Sequence, residues 1–216
     1  MNKRVYRNLL VTILALLGSG LGIAFSIKAD IGVSAYDGFN TVLGSIFSIQ
    51  VGTMMIICNT ICVLIQLVIL KREFSPRRLL QFIPVFSLGY IVNFVIYTWL
   101  SDVELTNYFM KLGLFIAGQV LCAFSIGILL AINYVSFSLE PAVMEVANVF
   151  GWNFAKSRQR LDLILIALNV LLAFIFQKDM VVREGTILGM LIYTPVMNIA
   201  FEWMKKKLLQ EKGFID

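Results

Sequence analysis

Three carboxylates stand where a carboxylate is costly. Asp37 lies in the moderately apolar stretch Ser34–Gly44, and Glu140 and Glu145 lie in a second one, Ser138–Asn148. An ionised group in such surroundings needs a partner, and in membrane proteins it commonly marks an ion or solute path. The chemistry open to these groups is the holding and release of an ion or small solute. Ser34, Asn93 and Asn198 are the hydroxyl and amides expected beside them. The plainer alternative keeps both stretches at the membrane surface, with their carboxylates in water. On that reading the amides Asn59, Asn93, Asn169 and Asn198 are hydrogen-bonding glue between helices, worth about 1 kcal/mol each.

Covalent and redox chemistry find little support. The chain has no histidine, which removes serine–histidine hydrolysis and weakens any metal or acid–base site. No glycine-rich phosphate loop is present. Asp37-Gly38 resembles the start of a phospholipid alcohol-transferase motif, but the following arginine and the later aspartates are missing. Cys58 and Cys62 are one helical turn apart, and Cys122 is alone. An odd number of thiols in apolar segments is no disulfide framework, and they read as small packing residues. No enzyme, cofactor or resident metal is expected.

The elements that must position these groups are membrane helices. Of 216 residues, 59% are hydrophobic and 14% charged, and the mean hydropathy is +0.87. Soluble domains are nearer a quarter charged. A span takes about 20 apolar residues. Such runs occur near 8–27, 51–70, 79–100, 112–132, 161–176 and 185–204, so six spans absorb nearly the whole chain as a single membrane domain, 1–216. The first run is too long for a signal peptide, and Lys28-Ala29-Asp30 is no small-residue cleavage site, so it is expected to stay as a span. Pro195 in the last span is expected to kink it or act as a hinge.

Lysine and arginine set the orientation. With both termini in the cytoplasm, 14 of the 18 fall on the inner side, among them Lys71, Arg72, Arg77, Arg78, Lys156, Arg158, Arg160 and Lys205–Lys207, with Lys212 in the tail. The net charge of +5 is then a matter of topology and anionic lipid, not nucleic acid.

The two halves share an order: span, short helix, span, span. An offset of 105 residues pairs Gly22 with Gly127, Arg78 with Arg183 and Asn93 with Asn198, whereas Asn59 and Asn169 fall five residues out of register. Each half, about 8–100 and 112–204, has three spans, so the halves run in opposite directions. This is an inverted repeat, as in many secondary transporters. The fold expected is an all-α membrane protein with six transmembrane helices in two inverted three-helix repeats, each with a short re-entrant or interfacial helix. Pro141 suits the first turn of the second short helix and Ser138 its cap, and Gly32 and Ser34 suit the start of the first.

Asp30-Ile31-Gly32-Val33-Ser34-Ala35-Tyr36-Asp37-Gly38, Val51-Gly52-Thr53 and Gly185-Thr186-Ile187-Leu188-Gly189 together resemble the YczE/YyaS/YitT-like bacterial integral membrane proteins. The first motif is usually closer to Gly-Val-Ser-Pro-Trp-Asp, and here Ala35 and Tyr36 stand for its proline and tryptophan. The resemblance implies a fold and a place in the bacterial cytoplasmic membrane more than an activity. The function expected is secondary transport or export of a small solute of unknown identity. The alternatives are a substrate-capture subunit working with a separate ATPase, and a membrane regulator acting through a protein partner. A homodimer is compatible with each.

Overall fold

The computed structural model describes residues 3–133 and 137–210, so Lys212 lies outside the described residues. It is helical throughout. The helices are α1 (Lys3–Ala29), α2 (Ala35–Phe47), α3 (Val51–Leu70), α4 (Phe82–Phe94), α5 (Tyr108–Ile132), α6 (Leu139–Val149), α7 (Phe154–Ile175) and α8 (Glu184–Gln210). Two 3-10 turns, Lys71–Glu73 and Pro76–Gln81, join α3 to α4, and a π-helical turn, Val95–Trp99, extends α4.

Among the described residues, five stretches are long and apolar enough to cross a bilayer: Tyr6–Ala29, Val51–Glu73, Pro76–Trp99, Tyr108–Ile132 and Glu184–Leu208. The chain is a multi-pass membrane protein. Its outer faces agree, since Leu14, Val68, Tyr90 and Leu191 are exposed on these helices and would be intolerable in water as contiguous surface. The stretch 161–176 forms the later part of α7. That helix is 22 residues long but carries Lys156, Arg158, Arg160 and Asp162 near its start, and it is not among the five.

Small residues set the closest approaches. α1 packs along α5, where a Cβ on Gly22 would stand 2.5 Å from the Gly118 carbonyl oxygen. α3 packs along α4, where a Cβ on Gly52 would stand 2.0 Å from the Gly89 carbonyl oxygen. Only glycine permits such approach. Around these contacts Ala24, Val92 and Val95 are almost fully buried. α5 also packs along α8. Pro195 sits inside α8, whose helix continues past it.

The short helices lie between these layers. α2 packs on α3 and α7, and α6 packs on the same two. Each start is held by an asparagine from a long helix. Asn169 of α7 donates to the Ala35 carbonyl at 3.0 Å, and Ser138, before α6, donates its hydroxyl to Asn59 of α3 at 2.6 Å.

Candidate functional site

Ser34 is extended and caps α2. Its Oγ accepts from the Asp37 N–H at 3.1 Å and donates to Asp37 Oδ2 at 2.7 Å. The cap therefore fixes both the helix start and the carboxylate. Asp37 is partly buried. Burial pushes its carboxyl above the ordinary range, while the Ser34 hydroxyl and the Arg158 guanidinium pull it back down. Arg158 reaches it from α7, one hydrogen bond from Asp162 on the next turn.

Glu140, on the first turn of α6, is exposed. Tyr193 of α8 lies within electrostatic reach of both Asp37 and Glu140, and its hydroxyl meets the Cys122 thiol of α5. Asp37 is within electrostatic reach of Arg158, Cys122 and Tyr193, and Glu140 within that of Tyr193, so Ser34 and Asp37 of α2 and Glu140 of α6 lie around one centre. Arg158 is shared by two carboxylates there, Asp37 and Asp162. Such a centre can hold and release a proton or a polar or cationic group. Among the described residues no cluster of three or more histidine, cysteine or acidic side chains can hold a metal ion.

The other sequence candidates lie elsewhere. Glu145 is bonded to Arg78 at 2.6 Å, and Arg78 also donates to Gln66 at 2.9 Å. Gln66 and Gln81 exchange hydrogen bonds at 2.9 and 3.0 Å, and Gln66 donates to the Ser138 carbonyl at 3.1 Å. This buried network binds α6 to the α3–α4 connection. Ser138 has no capping bond to α6 itself, because its hydroxyl goes to Asn59 instead. Asn93 accepts from the Gly52 N–H at 2.8 Å and donates to Thr53 at 2.9 Å. Gln50 offers α3 no side-chain cap, so Asn93 satisfies a first-turn donor that would otherwise be unpaired. Asn198 is exposed on α8 with no hydrogen bond among the described residues.

Among the described residues, three buried side-chain polar atoms have no hydrogen-bond partner: Tyr36 Oη, Asn40 Oδ1 and Asn169 Oδ1. Two are on α2 and the third is on its clamp, so polar strain concentrates around this one short helix. In the sequence Tyr193 is a lone tyrosine inside an apolar span, a common packing choice that does not set it apart.

The segment before α2 is locked to the start of α8. Gly32 has φ +131°, and a Cβ there would stand 2.6 Å from the Thr186 amide nitrogen. Gly185 donates its N–H to the Ile31 carbonyl at 2.8 Å. Asp30 is paired with Lys111 at 3.4 Å and with Arg183 at 3.3 Å. Two motifs far apart in sequence, Asp30–Gly38 and Gly185–Gly189, therefore meet beside the centre.

No curated protein and no solved structure matches the chain. A family model does, over residues 6–202, and on that match the chain belongs to a family of unknown function, DUF6198.

Proposed function

We propose that the protein is a secondary transporter of a small solute in the bacterial cytoplasmic membrane. The observation that carries this reading is the shared centre, where carboxylates from α2 and α6 lie within electrostatic reach of one tyrosine although they come from opposite halves of the chain. In this reading α7 is a sixth span and the halves are inverted repeats. The reciprocal clamps, Asn169 on the start of α2 and Asn59 at the start of α6, are what two such halves would make. Both termini and the basic connections lie in the cytoplasm. Rocking of the halves about α2 and α6 opens the centre first to one side and then to the other. The glycine motifs at 32 and 185 fit the resemblance to the YczE/YyaS/YitT-like proteins.

The test starts with the purified chain in detergent, screened for thermal stabilisation by metabolites, ions and drugs, since a bound ligand raises apparent stability. A stabilising compound should lose its effect in Asp37→Asn and Glu140→Gln, and proteoliposomes should carry it only with the wild-type chain. Stabilisation without flux would favour a capture subunit working with a separate ATPase. Unchanged flux in Asp37→Asn would remove this centre from the pathway.

A further inference from the structure

A cavity of about 510 Å³ lies on the Tyr36 side of α2, walled by α2, α3, α6 and α7. The volume falls within the roughly 300–1,000 Å³ usual for small-molecule sites. Its walls are hydrocarbon, with Ile61 and Ile65 from α3, Val143 from α6 and Ile164 from α7. A polar solute would lose hydration there and gain almost no partners. The Ser157 hydroxyl is already committed to the Asn153 carbonyl at 3.0 Å, which leaves the unpartnered Tyr36 hydroxyl.

Two features identify the occupant. The first is the opening. Ile61, Ile65 and Ile164 are exposed, so the rim of the cavity on α3 and α7 is apolar and suits bilayer hydrocarbon rather than water. The second is charge. Arg160 lines the cavity with its guanidinium 5.7 Å from the centre of the Trp152 ring. Arg158, two residues away, is neutralised by Asp162, but no carboxylate pairs with Arg160 among the described residues. The Arg78–Glu145 bond ties the basic α3–α4 connection, which carries Arg72 and Arg77, to α6, one wall of the cavity.

We propose that the cavity binds one anionic phospholipid, with an acyl chain between α3 and α7 and its headgroup phosphate on Arg160. A guanidinium fork matches phosphate oxygens, and basic pockets between membrane helices suit anionic headgroups. The proposal stands whether or not the protein transports a solute.

The full-length chain, purified and stripped of lipid, is titrated in native mass spectrometry with phosphatidylglycerol, phosphatidylcholine of the same chains, and oleate. Phosphatidylglycerol should bind once per chain, about fivefold tighter than phosphatidylcholine, the preference one basic residue confers. Arg160→Gln should erase that preference. Val146→Phe, which fills the cavity, should abolish retention of both lipids, and Ile164→Trp serves if that variant does not fold. Lys205→Gln, outside the cavity, should behave as wild type. Equal binding of the two lipids, a preference that survives Arg160→Gln, or retention unchanged by the filled cavity would overturn the proposal. So would oleate matching phosphatidylglycerol with the same dependence on Arg160, because the occupant would then be a fatty acid.

Discussion

α2 and α6 are both short, both carry carboxylates and both pack on α3 and α7, yet they are held by different forces. α2 is held by shape. Its own Ser34 caps it, Gly38 lets Asn169 approach to where a Cβ would be 2.9 Å from the amide nitrogen, and the Gly32–Gly185 contact locks the segment before it. α6 is held by polar bonds from outside itself: Ser138 to Asn59, Gln66 to the Ser138 carbonyl, and Glu145 to Arg78. Close backbone contact is unforgiving of any added atom, whereas a hydrogen bond between side chains can exchange one partner for another. Both helices carry a partly buried acid, Asp37 on α2 and Glu145 on α6, and Glu145 is bonded to Arg78, while the first-turn acid of α6, Glu140, stays exposed. In the proposed transporter, α2 is then the fixed wall of the centre and α6 the wall that moves.

The sharpest break of this comparison is Gly32→Ala. A residue with a side chain rarely adopts φ +131°, and its Cβ would collide with the backbone of Thr186. The expected loss is about 3–5 kcal/mol, read as failure to obtain monodisperse protein at normal yield. Gly113→Ala is the control, because nothing lies within 4 Å of the added atom, and it should be neutral or slightly stabilising. If both variants behave alike, α2 is not held by shape. Next in size is Glu145→Gln. It leaves the partly buried Arg78 guanidinium with Gln66 alone and should cost about 1–3 kcal/mol, visible as a lower melting temperature in detergent. Because it frees α6 and not α2, ligand affinity at the centre should fall without being abolished. Full loss of binding would mean that α6 is as rigidly required as α2.

How far the sequence could be read follows the same line. Helices show in hydropathy because a span needs a continuous apolar run, so α1, α3, α4, α5 and α8 were legible. α7 was only half legible, since charged residues at 156–162 hide its first turns. Both short helices were legible from local chemistry, a serine–aspartate start for α2 and Pro141 for α6. Asp37 and Glu140 stood out because charge in apolar sequence is rare. What stayed hidden is pairing between distant segments. Asn93 and Glu145 are polar in apolar surroundings just as Asp37 is, and only the fold shows that Gly52 and Arg78 satisfy them. Asn59 and Asn169 each bond to the start of a short helix although they fall out of register in the alignment, because a clamp depends on where a side chain reaches and not on its residue count.

The smallest expected effect is the most discriminating. Burial, the dominant influence on Asp37, raises its carboxyl in the folded chain above the unfolded value. The folded state therefore holds the proton more tightly than the unfolded one. Stability from this group is fully present below about pH 4, the ordinary carboxylate value, and is lost as pH rises through the raised one. Asp37→Asn keeps a hydrogen-bonding group for Ser34 and removes the charge. Its melting temperature should match wild type in acid and exceed it at neutral pH by about 2–4 °C, the shift that roughly 1 kcal/mol makes in a chain of this size. A melting-temperature series across pH on both proteins decides it. If wild type instead gains stability over the variant as pH rises, Arg158 outweighs burial and Asp37 is an ion pair like Glu145 with Arg78. The two short helices would then be held by the same force, and the distinction between a fixed and a moving wall would fail.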